Sequence, residues 1–319
     1  MVTMSNQVEH WVFILATLCA ISAPSQRSAD PIAEARSQLD AGELEQSEAT
    51  LRNYLIMVPS SAGAHFLLGY VLFRDQKAKE SLAEFTSGAK FRRPRADELK
   101  VVASDYVILG DFGDADKWFS QVVSEQADDA EAWYLLGRTK YNENEFAAAI
   151  SSLEHALTLR PNYVEAENNI GLCWKELNNA GKARAAFEAA IDWQGSMPVD
   201  AQPFLNLGTL LADGGENEKA VPYLTKAVAL SPKNPTVHEE LGKVNFALHK
   251  MAEAQAELEQ AIALAPDTSA LHYKLAQILR KEGLPDRAQQ EFAICARLNS
   301  THSSSKTPNP LTLELSVPH

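Results

Sequence analysis

This sequence predicts an all-α solenoid of about eight helix-turn-helix repeats, on three observations. A small residue is followed twelve positions later by another in eight places: Ala35 and Ser47, Gly69 and Ser81, Ala103 and Ala115, Gly137 and Ala149, Gly171 and Ala183, Gly208 and Ala220, Gly242 and Ala254, Ala276 and Ala288. Successive pairs are offset by 34 residues, apart from a 37-residue step between Gly171 and Gly208. Four residues after each second member stands a large apolar residue: Leu51, Phe85, Phe119, Leu153, Phe187, Leu224, Leu258 and Phe292. Alanine is abundant, β-branched runs are scarce and no stretch reads as a strand.

Each column has a physical cause. Two antiparallel helices approach closely only where both carry small side chains, so the paired small residues mark a crossing inside each repeat. One helical turn further along the second helix, a Leu or Phe is placed to fill the space between this repeat and the next. Pro59, Pro161, Pro232 and Pro266 stop the second helix in four repeats, because proline lacks the amide donor and clashes with the preceding turn. Arg93, Ala127, Gly195 and Ser300 stand at that place in the other four, so those boundaries are less sharply marked.

The best-preserved copy, residues 130–161 (AEAWYLLGRTKYNENEFAAAISSLEHALTLRP), carries Trp133, Leu136, Gly137, Ala149, Leu153, Ala156 and Pro161 in order. That order resembles the tetratricopeptide repeat, a helix-turn-helix unit of about 34 residues. The resemblance covers residues 28–300 and implies a right-handed superhelix in which each repeat buries its apolar face on its neighbours.

At the N-terminus, Trp11 to Ser22 (WVFILATLCAIS) is apolar, too short to span a bilayer and of the length of a signal-peptide core. Small residues at Ala20 and Ser22 complete the pattern, although the leading segment carries Glu9 and no Lys or Arg. Residues 1–22 are thus expected to be a signal peptide and the protein to be exported, periplasmic or secreted; without cleavage it would be cytoplasmic. Cys173 and Cys295 lie three repeats apart, beyond disulfide reach, and are expected as small buried apolar residues. Between the fifth and sixth repeats the loop of residues 191–203 carries the three extra positions; Trp193 is expected over the end of its own repeat's core, the alternative being a small binding knob of Trp193 and Met197. Residues 301–319, rich in Ser, Thr and Pro, are expected to be a disordered tail.

The formal net charge of −13 argues against general nucleic-acid binding, which needs a basic stripe, and against adhesion to anionic lipid. No catalytic constellation appears. His65, His238 and His272 stand at the place of Trp133 and read as structural rings. His238-Glu239-Glu240 lacks the second His of a zinc protease, Gly181-Lys182 lacks the glycine of a phosphate loop, and Asp111-Phe112-Gly113 falls in an inter-helix turn. No enzyme activity, metal or cofactor is expected.

What remains is the surface. In the family that this chain resembles, first helices line a concave groove through the second, fifth, ninth, twelfth and thirteenth places of each repeat. Here those places hold Phe66, Tyr70, Phe73 and Arg74 in the second repeat, Tyr134, Arg138 and Tyr141 in the fourth, and Tyr273, Arg280 and Lys281 in the eighth. Aromatic and Arg side chains dominate binding hot spots. Charges at these places nearly balance: eight cations (Arg36, Arg74, Lys100, Arg138, Lys175, Lys243, Arg280, Lys281) against seven acids (Asp40, Asp97, Glu131, Glu165, Glu176, Asp213, Glu239). Asn169 and Asn206, each two residues before the small Gly, resemble two rungs of an asparagine ladder that grips a peptide backbone. The carboxylate clamp of chaperone-binding members is absent, since Leu172 stands where it needs Asn. The expected function is a non-enzymatic scaffold for a protein or peptide; the alternative is a structural subunit of an envelope assembly that uses the convex face or the ends. Protein purified from its native host should begin near Ala23 by N-terminal sequencing; an intact Met1 would refute export.

Overall fold

The computed structural model describes residues 30–304, which form sixteen helices and no strand. The signal-peptide reading of residues 1–22 falls outside them, as does the tail beyond Ser304.

The helices pair as the small columns require, and the chain divides after Arg93 into two units. The first holds α1 (Pro31–Asp40) with α2 (Leu44–Met57) and α3 (Ala62–Arg74) with α4 (Ala78–Ala89). The second holds six pairs: α5 (Ala96–Leu109) and α6 (Phe112–Glu125), α7 (Ala130–Asn142) and α8 (Phe146–Leu159), α9 (Val164–Glu176) and α10 (Ala180–Asp192), α11 (Gln202–Asp213) and α12 (Asn217–Leu230), α13 (Pro235–Ala247) and α14 (Met251–Leu264), α15 (Ser269–Lys281) and α16 (Pro285–Ser304). Helices α2, α8, α12 and α14 each end two residues before their proline. The first four residues of the stretch expected as a tail lie inside α16.

Local chemistry starts and turns the helices. The side chains of Asp30, Ser61, Asp111, Asp129, Asn179 and Asn234 accept from backbone N–H groups in the first turns of α1, α3, α6, α7, α10 and α13. Each turn inside a pair contains one left-handed residue, seven positions after the first small one: Gly42, Gln76, Gly110, Asn144, Asn178, Gly215, His249 and Gly283. Glycine and asparagine supply six of these at little steric cost, whereas Gln76 and His249 accept the strain to keep the same turn.

All sixteen small-column residues are buried, and of the large column only Phe292 in the last pair stays partly exposed. The contact they make differs from the sequence expectation. A Cβ on Gly171 would lie 2.4 Å from the Phe187 ring, one on Gly137 2.6 Å from Leu153 Cγ and one on Gly208 2.6 Å from Leu224 Cγ. The large residue therefore sits first on the bare glycine backbone of its own repeat, because that hollow lies directly opposite it. It also reaches the next pair: Phe187 shares a buried cluster with Phe204, Leu205 and Leu207 of α11. In the first unit Ser47 and Ser81 add a tie, donating Oγ–H to the Ala35 and Gly69 carbonyls at 2.7 and 2.8 Å.

The histidines are structural and repeat one geometry. Nδ1 of His65, His238 and His272 faces Oε2 of Glu84, Glu257 and Glu291 at 2.7, 2.6 and 2.6 Å. Nε2 of each faces the carbonyl of Pro59, Pro232 or Pro266 at 3.0, 3.0 and 2.9 Å. Trp133 makes the equivalent bond, Nε1–H to the Ala127 carbonyl at 2.9 Å, and its ring packs on His155. One ring thus ties the end of one repeat to the next. Cys173 is fully buried, and burial pushes its thiol up to about 12. Cys295 is only partly buried.

Gly171→Ala is expected to destabilise the chain by about 1–2 kcal/mol in urea unfolding, since overpacking against Phe187 outweighs the roughly 1 kcal/mol gain in helix propensity. Adding Phe187→Leu, the residue that stands at position 51 against Ala35, should recover part of the loss. An unchanged or raised midpoint for Gly171→Ala would show that the ring does not rest on the glycine.

Candidate functional site

In the second unit neighbouring first helices approach one another, α7 with α9, α9 with α11 and α11 with α13, more closely than neighbouring second helices do. First helices therefore lie on the inside of this unit's bend. The face they share is the candidate site.

The structure brings four of the sequence candidates together there. Tyr134 on α7 stacks on Tyr163 just before α9, ring centres 5.0 Å apart, with Arg138 5.7 Å from the Tyr134 ring and Arg160 4.3 Å from the Tyr163 ring. Asn169 donates to the Glu165 carbonyl at 2.7 Å. On α11, Asn206 donates to Asn168 Oδ1 at 2.8 Å and accepts from Gln202 Nε2 at 2.9 Å. The amide link between repeats thus runs through the buried Asn168 rather than Asn169. One residue's difference is a 100° turn of the helix, and that turn points Asn168 at α11.

The row leads into a cleft of about 230 Å³ lined by Leu172 and Lys175 of α9, Gln202, Leu205, Asn206 and Thr209 of α11, and Thr236 and Glu240 of α13. Leu172 and Leu205 offer apolar surface; amides, hydroxyls and two charges surround it. The volume falls below the roughly 300–1,000 Å³ usual for small-molecule sites. The cleft was not singled out from sequence, yet Leu172, Lys175, Gln202, Leu205, Thr209 and Thr236 occupy the groove places counted from Gly171, Gly208 and Gly242.

The other candidates lie elsewhere. Phe66 belongs to the core: it is 3% exposed, packs on Phe85 at 5.9 Å, lies under Arg92 and fills the hollow left by Gly88, so it presents nothing to a partner. Tyr70 and Phe73 remain partly exposed in the first unit, ring centres 6.2 Å apart. Tyr141 packs edge-on against Phe146 of its own repeat. Tyr273 and Arg280 meet around Phe292 in the last pair, where Tyr273 is 48% exposed. Met197 stands out from its loop at 84% exposure, whereas Trp193 is partly buried at the end of α10.

Three of the six cations at groove places in the second unit are paired, while Arg138, Arg280 and Lys281 lie over aromatic rings. Lys100 bridges Asp129 and Glu131 at 2.9 and 2.8 Å, Lys175 meets Asp213 at 3.0 Å and Lys243 meets Glu240 at 2.8 Å. Just off those places, Lys274 pairs with Glu239. Burial raises the Tyr134 phenol above the ordinary tyrosine value; Arg138 and Asn169 pull it down and Glu165 pushes it up. Burial likewise raises Tyr141 and Tyr163. Among the described residues no group of His, Cys, Asp and Glu is placed to hold a metal ion, and no helix is long and apolar enough to cross a membrane.

Comparison with known proteins agrees with the helix pairing. Tetratricopeptide repeat models match residues 32–96, 130–163, 175–235 and 211–278. The chain belongs to the tetratricopeptide repeat family. Among curated relatives it is 26% identical over 168 residues to the mouse protein O-mannosyl-transferase TMTC1, covering 51% of this chain and 18% of that protein. It is 23% identical over 204 residues to protein FlbA of Caulobacter vibrioides, covering 63% of this chain and 34% of FlbA. The chain thus spans only a fifth to a third of these relatives. Among solved structures, a tetratricopeptide repeat protein from Parabacteroides merdae superposes with a TM-score of 0.64 at 19% identity, over 78% of this chain and 97% of that one. The Cut9-Hcn1 hetero-tetramer of the APC/C gives 0.59 at 17% identity, over 87% of this chain and 55% of that one. These likenesses are of fold.

In alkaline absorbance titration, Tyr134→Phe should remove a phenol that ionises above the ordinary value of about 10. Since folding favours the neutral phenol, its stabilising contribution is complete below the unfolded value and is lost as pH rises through the higher folded one. Loss of a phenol at the ordinary value would show that the Tyr134 ring is not held against Tyr163.

Proposed function

We propose that this chain is a non-enzymatic binding scaffold whose partner, a protein or peptide, lies along the first-helix face of α7, α9, α11 and α13. The cleft between α9, α11 and α13 carries this reading. It opens on the inside of the bend, at places the repeat pattern assigns to the groove, and its size suits side chains of an extended segment. Amides and hydroxyls around it offer both donors and acceptors, as a peptide backbone requires. Leu172 and Leu205 supply apolar contact, and the Lys175–Asp213 pair at the edge contributes little affinity, about 0–1 kcal/mol.

Thr209→Trp fills the cleft without changing charge. It should reduce capture of the partner from native extract at least about tenfold, a loss of about 1.4 kcal/mol, with helix content unchanged in circular dichroism. Undiminished capture by Thr209→Trp, combined with loss of capture in Glu253→Arg on the exposed side of α14, would move binding to the second helices and favour an assembly subunit.

A further inference from the structure

Charge along the first-helix face is distributed unevenly once the pairs are drawn. Lys100, Lys175 and Lys243 each have a carboxylate within 3.0 Å, so their charge is met inside the protein. Arg138, at the ninth place of its repeat, makes no ion pair among the described residues. It is exposed, and its guanidinium lies over the Tyr134 ring. The Tyr134 oxygen takes one of its N–H donors, and the aromatic face attracts the guanidinium while leaving the remaining donors available to an outside acceptor. The ring beneath is itself fixed by Tyr163 and, beyond it, Arg160. Arg138 is therefore a pre-positioned donor fork beside the amide row of Asn168, Asn206 and Gln202 that leads to the cleft.

The charges that act on this corner are few. Arg138 and Glu165 act on the Tyr134 phenol; Arg160, Glu165 and Glu131 act on Tyr163. Glu131 is already engaged by Lys100, which leaves two arginines against Glu165. On a chain of net charge −13, this corner presents two arginines to an incoming carboxylate. A planar guanidinium with several parallel donors matches a carboxylate in two-point contact, which a lysine cannot do.

We infer that the segment bound on this face is an acidic peptide whose Asp or Glu side chain seats on Arg138 while a neighbouring apolar side chain enters the cleft. This rests on the proposed groove function and adds the chemistry of the occupant. A library of random peptides displayed with blocked ends and panned on the full chain should be enriched in Asp and Glu. A captured peptide, synthesised with fluorescein, should bind about tenfold tighter than its Glu-to-Gln twin by anisotropy, as expected for a hydrogen bond to a charged group. Arg138→Gln should abolish that difference, and Glu165→Gln should widen it. Peptides that Thr209→Trp releases but that show no acid preference, or a preference that survives Arg138→Gln, would overturn the acidic reading and leave the groove in place. Capture of no peptide that Thr209→Trp releases would overturn both.

Discussion

In five of the eight helix pairs a bulky side chain rests on a glycine backbone that has no side chain, and in the other three on an alanine. Where Gly137, Gly171 or Gly208 faces Leu153, Phe187 or Leu224, the missing Cβ leaves a hollow that the partner helix fills. Fully burying such a residue stabilises by about 1.5–3 kcal/mol, and the same contact recurs along the chain. Close approach of the paired helices is also what lets the large residue reach the following pair, as Phe187 reaches α11. Stability then accumulates by nearest-neighbour contacts rather than in one central core.

The same constraint shapes the binding face. With second helices held to first helices by these seats, neighbouring first helices of the second unit meet on the inside of a bend, where a narrow cleft opens. Histidine and tryptophan rings tie four of the junctions, joining the end of one repeat to the helices of the next. Such support fixes the first helices on either side of these junctions.

Charge is laid unevenly over this frame. Lysines along the first helices neutralise acids on adjacent repeats, so they knit the surface and present little net attraction. Arginine over an aromatic ring behaves differently, because the Tyr134 ring and its oxygen hold it while leaving most of its five donors unused. The distinction between Lys175 and Arg138, invisible in a count of charges, follows from which neighbour each one meets.

Much was legible in the chain itself. The spacing of small and large residues determined the number of repeats, the helix pairs and which residues are buried, since helix crossing demands small side chains at fixed intervals. The histidine–glutamate pairs also follow a fixed step: a glutamate stands nineteen residues after His65, His238 and His272. Tertiary structure decided what periodicity leaves open. It turned Phe66 inward because Gly88 on the second helix offers it a hollow, and it chose Asn168 over Asn169 to face the next repeat. It also set which cations find acids and where three helices leave a cleft. Repeat spacing places a residue on a helix to within about one position, whereas 100° of helical rotation per residue separates a buried contact from an exposed one.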